Sequence, residues 1–288
     1  MSQTSVTACC PGHISGYFKR VAGADLASTG SLGAGIVISE GVTATVTPSE
    51  TTSVCIRQFS PAEKSPVTSD TSPPLSFVLK RLGVSASIVT ECNLPIGAGF
   101  GLSAAALLST LTAVDRLFGL GLGAHDIALI AHEAEVVHQT GLGDVSACQA
   151  GGRVLRKGPG IDADIERTFD IREPLYAVCF GPIHTPSVLG SPAQMERVSA
   201  AFPRVYPQSP ADFFALSQQF ARDSGLMTDE VRKVLDSCEE AGVFSSMTML
   251  GNGVFACGKK AKDVLSPFGD IYEFRMADAG ARITGERT

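Results

Sequence analysis

The stretch Pro95-Ile96-Gly97-Ala98-Gly99-Phe100-Gly101-Leu102-Ser103-Ala104-Ala105-Ala106 decides how this chain of 288 residues is read. Before it, Val84 to Glu91 alternates apolar and polar residues and reads as a strand. After it, Ser103 to Phe118 is rich in Ala and Leu, with no Pro or Gly until Gly119, and reads as a helix. A glycine-rich loop that joins a strand to a helix start suits an anion. Glycines carry no Cβ, so their N–H groups approach a phosphate closely. The free N–H groups of the first helical turn and the helix dipole favour negative charge there. Ser103, read at the helix cap, can cap the helix or offer its hydroxyl to a phosphate-bound Mg²⁺. The same residues also describe a tight glycine turn before a core helix, and alone they leave both readings open. The loop lacks the lysine and the spacing of a Walker A motif, and Gly97-Ala98-Gly99 has no glycine three residues on, as a dinucleotide fingerprint requires.

The composition narrows the class. Hydrophobic residues make up 44% and charged residues 18%, enough apolar content for a full core and too much for a disordered chain. A formal net charge of −6 with no basic cluster argues against nucleic acid. No apolar run is long enough to span a membrane, and the N-terminus lacks the basic start and apolar core of a signal peptide. The 8 Cys form no CxxC and no zinc-type Cys/His spacing, and are read as reduced thiols of a cytoplasmic protein. Composition does not set the oligomeric state, and a homodimer stays open.

Outside the loop, Val6 to Phe18 reads as a short strand followed by a Pro11-Gly12 turn. Gly35 to Pro48 has strand character with a hairpin turn at Glu40-Gly41, and Val54 to Phe59 is expected to pair with it. Ser60 to Pro74 reads as a long loop, either a solvated connector or a mobile flap. Leu75 to Leu82 is a short helix. His125 to His138 is a helix with Ile127, Ile130, Ala131, Ala134 and Val137 on its apolar face. His132 and Glu135, three apart, share a side of it. A Glu in an apolar face needs a partner such as Mg²⁺, or else sits at the edge and meets water. Asp144 lies between a glycine turn and a helix start, where it can cap the helix or take a proton from a hydroxyl. Arg153 and Arg156 flank a strand on opposite faces, so one at most faces a site squarely. From about Arg172 onward come a strand at Leu175 to Phe180 and helices at Ser191 to Phe202, Pro210 to Asp223 and Thr228 to Ala241. Strands follow at Phe244 to Met249 and Val254 to Gly258, with a final one at Ile271 to Met276. That order suggests an α+β second domain.

The glycine loop resembles the phosphate loop of the GHMP kinases, the family of galactokinase, homoserine kinase and mevalonate kinase. Their pattern runs Pro, three residues, Gly, Leu, Gly/Ser, Ser, Ser, Ala; here Phe100 replaces the Leu, Leu102 the first Ser, and Ser103 keeps the second. Pro11-Gly12-His13-Ile14-Ser15-Gly16 is similar to the N-terminal motif of the family. With Ser28-Thr29-Gly30-Ser31-Leu32-Gly33-Ala34-Gly35 it looks most like the archaeal branch acting on pantoate, except that Leu32 stands where a basic residue is usual. Ser245 to Ala256 is similar to the third motif, a glycine-rich hairpin that closes over the phosphates and acceptor.

The resemblance implies an α+β, two-domain GHMP kinase fold. A ribosomal protein S5 domain 2-like N-terminal domain would cover 1–172, and a ferredoxin-like C-terminal domain 173–288. It implies ATP- and Mg²⁺-dependent phosphorylation of the primary hydroxyl of pantoate, in coenzyme A biosynthesis. Pro95, Gly97, Ala98, Gly99, Phe100, Gly101, Leu102, Ser103 and Ala104 would hold the phosphates. Ser103 and Glu135 would hold Mg²⁺, and Asp144, the match to an Asp beside the attacking alcohol in mevalonate kinase, would act on the hydroxyl. His13, Ser28, Ser31, His132, Arg156 and Gly251 would position the acceptor, while His138 has no match and is read as structural. Two alternatives remain: a GHMP kinase for another hydroxy acid such as mevalonate, and a non-catalytic GHMP-fold regulator that binds a ligand.

Overall fold

The computed structural model describes residues 4–60 and 65–287. Two long antiparallel strands open the chain, β1 (Ser5–Val21) and β2 (Gly30–Pro48). The turns expected at Pro11-Gly12 and Glu40-Gly41 are not turns. Pro11 pairs with Gly41 and Gly12 with Ile38, so both signals fall at one irregularity in a continuous ladder. Pro11 has no N–H to give, and the extra residues on β2 bend the ribbon without ending it.

Next come β3 (Ser53–Gln58), β4 (Val67–Ser69), α1 (Pro73–Leu82), β5 (Ala86–Cys92) and α2 (Leu102–Phe118). After them lie α3 (Ala124–His138), the short α4 (Asp144–Cys148), β6 (Arg153–Arg156) and β7 (Ile165–Thr168). The expected β2–β3 pairing does not form. β5 sits between them, antiparallel to β2 and parallel to β3 from Ser53↔Ser87 to Gln58↔Cys92. Alternation finds a strand but not its neighbour, and here the α1 crossover permits a parallel pair. The loop expected over 60–74 holds β4, paired with β3; its residues 61–64 lie outside the described residues.

The second half comprises β8 (Leu175–Cys179), α5 (Thr185–Leu189), α6 (Pro192–Ala201), α7 (Pro210–Asp223) and α8 (Asp229–Glu240). It continues with β9 (Ser245–Met247), β10 (Gly253–Cys257), α9 (Lys259–Leu265), β11 (Tyr272–Phe274) and β12 (Arg282–Arg287). Four of these strands form a sheet in the order β11-β8-β10-β9, and β12 returns to pair with β1 at the edge of the first sheet. So the strand at 271–276 is not the last one. Arg282-Ile283-Thr284-Gly285-Glu286-Arg287 has a single apolar residue and is almost wholly exposed, so it carries no alternation to read.

Helix α2 buries Ala104, Ala105, Leu107, Leu108 and Leu111, and this face packs on β1 and β2. It is the support from which the glycine loop projects. On α3, Ile127, Ile130, Ala131 and Ala134 are buried as expected, but Val137 is exposed. The eight cysteines are all free thiols.

Candidate active site

The glycine loop, α4 and the β9–β10 turn enclose a cleft of about 350 Å³. Gly99 and Gly101 hold φ of 84° and 62°, the left-handed region that a Cβ disfavours. Gly101, not Ser103, is the N-cap of α2, and it brings no capping side chain. Ser103 therefore sits inside the first turn, with its hydroxyl free of a capping duty, and the first amides of α2 stay open to a ligand. Phe100 is buried edge-on against Phe274 and tilted on Tyr272, which anchors the loop from behind. Pro95 accepts from the Ala98 N–H at 3.4 Å, and Ala104 is buried under the loop.

The β9–β10 turn backs onto this loop. A Cβ on Gly251 would lie 2.0 Å from the Ala98 carbonyl oxygen, and one on Gly99 would lie 2.8 Å from that of Met249. Gly251, expected at the acceptor, thus packs on the phosphate loop, while Met249 and Leu250 line the cleft. Close backbone contact, rather than ligand contact, explains the glycine.

Asp144 is the first residue of α4, whose N-cap is Gly143. Its carboxylate meets the fully buried His13 at 2.6 Å, Oδ1 to Nδ1. Burial pushes the His13 imidazole toward its neutral form against the pull of Asp144. Its Nε2 is buried without a partner among the described residues, over Gly35, whose missing side chain makes room for the ring. This favours the tautomer with the proton on Nδ1, which donates to Asp144. His13 therefore braces Asp144 and does not itself line the cleft. Burial of the Asp144 carboxyl opposes ionisation, but the His13 hydrogen bond and the Arg156 guanidinium hold it below the ordinary aspartate range.

The far end of α4 is fastened by a residue that sequence reading passed over. Arg167 donates to the carbonyls of Ser146, Ala147, Ala150 and Gly151 at 2.8–3.1 Å. In Ile165-Glu166-Arg167-Thr168 it looks like an ordinary solvated cation, and only the tertiary fold brings carbonyls to it.

Arg156 is 2% exposed and lines the cleft. Its Nε and Nη1 have no partner among the described residues, and Nη2 makes only a long 3.5 Å contact to Ser31 Oγ. A buried guanidinium with donors to spare is costly unless an anion completes it. Arg153, three residues back, pairs instead with Asp170 on the other face, as alternation expects. Ser31 lines the cleft. Ser28 and His132 do not. Ser28 is turned onto Asp25 (Oγ–Oδ1 2.6 Å), and His132 Nε2 meets the Thr29 carbonyl at 2.7 Å. Together they secure the 25–29 turn against α3, a role that sequence spacing does not separate from ligand contact. His138 packs edge-on against Phe77.

Glu135 lines the cleft and is 1% exposed, so it does not sit at a wetted edge. Burial, and then the charge of Asp144, push its carboxyl up to about 8, against hydrogen bonds from Ser103 and Thr140. Among the described residues no three His, Cys, Asp or Glu side chains form a closed metal cage. One buried carboxylate, a hydroxyl and a nearby second acid instead make an open, oxygen-only set, which fits a hard divalent cation that takes its other ligands from phosphate and water. A raised folded pKa means that Glu135 keeps its proton in the folded chain where the unfolded chain loses it. Its contribution to stability is complete below about pH 4.5 and fades as pH rises through about 8. Glu135→Gln is therefore expected to raise the Tm of nucleotide-free protein at pH 8–9 and to flatten the loss seen between pH 5 and 8. A Tm lower than wild type at pH 9 in thermal melts would contradict this.

A second, apolar pocket of about 220 Å³ adjoins the cleft through Ile96, Ser103 and Thr140, with Ile56, Pro73, Pro74 and Ala106 among its walls. The cleft floor also carries Phe18, Leu142 and Leu189, which no sequence motif marks.

Residues 75–152 match the family described as GHMP kinases N terminal domain. The chain is 47% identical over the whole length of both proteins to "Pantoate kinase" of Methanospirillum hungatei. It is 32% identical to "Pantoate kinase" of Thermococcus kodakarensis, over 93% of this chain and 94% of the relative. A solved structure titled "Phosphotransferase related to CoA biosynthesis pathway" superposes with a TM-score of 0.79 at 23% identity, covering 97% and 98% of the two chains, which shows a shared fold. The full-length similarity places the chain in the GHMP kinases, within the family of its pantoate kinase relatives.

Proposed function

We propose that this protein is an ATP-dependent kinase that transfers the γ-phosphoryl group to the primary hydroxyl of pantoate, forming 4-phosphopantoate for coenzyme A biosynthesis. One observation carries the reading. A buried guanidinium with two unpartnered nitrogens and a His-braced aspartate line one cleft with the phosphate loop. A hydroxy acid supplies what both lack, a carboxylate for Arg156 and a hydroxyl for Asp144.

In this scheme the apolar pocket beside Ile96 takes the adenine ring, and the amides of Gly97 to Ser103 take the phosphates. Asp144 orients the attacking hydroxyl and accepts its proton as the new oxygen–phosphorus bond forms and the bond from the γ-phosphorus to the β,γ-bridging oxygen breaks, with ADP as the leaving group. His13 keeps the carboxylate in place through Nδ1, and the loop amides stabilise charge on the transferring group. Ser103 and Glu135 would hold Mg²⁺, which when bound neutralises the phosphate charges. The test is an acceptor panel with pantoate, mevalonate and homoserine, followed by ADP release. Pantoate is expected to give the highest kcat/KM, and a clear preference for mevalonate would overturn the substrate assignment.

A further inference from the structure

Phe18, Leu142 and Leu189 give the cleft that Arg156 lines an apolar part, beside polar lining from Ser15, Ser31, Asp144 and Thr185. Phe18 on β1 pairs with Gly33 on β2, and Gly33 pairs with Arg156 on β6. Phe18 and Arg156 thus stand in one row with only a glycine between them. Leu142 precedes Gly143, where a Cβ would lie 2.6 Å from Arg156 Nε. Leu189 closes the third side from the end of α5. It is fastened by Arg20, two residues beyond Phe18 on the same strand, whose Nη1 donates to the Leu189 carbonyl at 2.8 Å. Phe18, Leu142 and Leu189 are 4%, 8% and 2% exposed.

We propose that Phe18, Leu142 and Leu189, the last held by Arg20, form an alkyl subsite that selects a hydroxy acid with a fully substituted, branched carbon between its carboxylate and its hydroxyl. The proposal rests on the pantoate reading and adds what sets pantoate apart from its unbranched analogue, the two methyl groups on C3. An unbranched acid reaches both Arg156 and Asp144 but leaves these walls without a partner, and the lost burial falls on transition-state binding. An α-amino acid fares worse, because its ammonium group would lie beside the like-charged Arg156 guanidinium and leave the alkyl walls without a partner.

The test compares kcat/KM for pantoate and for 2,4-dihydroxybutanoate, which is pantoate without the two methyls. Each buried methyl is worth about fourfold, so wild type is expected to favour pantoate by roughly 15-fold. Leu189→Ala, which removes one wall, and Arg20→Ala, which only unfastens it, are both expected to shrink that ratio, mainly through the KM for pantoate. Equal kcat/KM for the two acids in wild type overturns the alkyl subsite and leaves the kinase reading intact. A ratio unmoved in both variants overturns the assignment of the wall to Leu189 and Arg20. Failure to phosphorylate either acid overturns the pantoate reading, and this proposal with it.

Discussion

Asp144→Asn is expected to lower kcat by about 10³-fold, within the range of roughly 10²–10⁴ typical for the loss of a positioned general base. Asparagine keeps the shape of the side chain and still accepts from His13 Nδ1 through its amide oxygen, so α4 should stay in place. What disappears is the negative charge and the site for the proton of the attacking hydroxyl. ADP affinity should change little, because the loop amides that hold the phosphates do not depend on Asp144. Steady-state ADP release and calorimetric ADP binding separate the two effects. A kcat within a few-fold of wild type would remove Asp144 from the mechanism. A parallel collapse of ADP affinity would mean that the variant has disturbed the loop, against which Asp144 packs through Gly101.

The sequence makes this site unevenly legible, for physical reasons. Backbone-driven features were plain. The glycine loop and the Arg153/Arg156 split follow from positive-φ preference and period-2 alternation, and the structure has them, whereas the helix cap falls on Gly101 and not on Ser103. Features that depend on long-range contact were not. His13 and Asp144 are 131 residues apart, and no local pattern says that the imidazole braces the carboxylate and does not face the acceptor. Gly251 and Ser28 carry the right residue types beside the right motifs. Yet Gly251 is small because the Ala98 carbonyl lies against it, and Ser28 is turned onto Asp25. The Pro11-Gly12 and Glu40-Gly41 signals misled for a related reason. Each is a turn signal alone, and together, on facing strands, they make a bulge. The bulge still matters to the site, because it lies just before His13, whose N–H donates to the Phe100 carbonyl at 2.9 Å and so joins the acceptor wall to the phosphate loop.

Arg156→Met tests the other half of the site, and its signature differs from that of an ordinary core change. Removing one partner of a buried, charge-assisted pair typically costs about 2–4 kcal/mol, or roughly 30- to 1000-fold in affinity. The KM for pantoate is expected to rise within that range, while the KM for ATP changes little. Stability should not fall with it. In the ligand-free protein Arg156 is a buried cation whose Nε and Nη1 have no partner among the described residues, so an apolar side chain of similar length is expected to leave the Tm unchanged or higher. Arg156→Lys keeps the charge but not the planar fork, and belongs between wild type and Met in KM. A further consequence runs through Asp144. Arg156 helps to hold that carboxyl below the ordinary aspartate range. Without it the carboxyl protonates at higher pH, so the acidic limb of the kcat profile should move up in Arg156→Met and stay near its wild-type position in Arg156→Lys. A KM for pantoate that does not respond to Arg156→Met would place the acceptor's carboxylate elsewhere. A large fall in Tm would mean instead that the guanidinium holds the fold together, and that its free nitrogens are not reserved for a ligand.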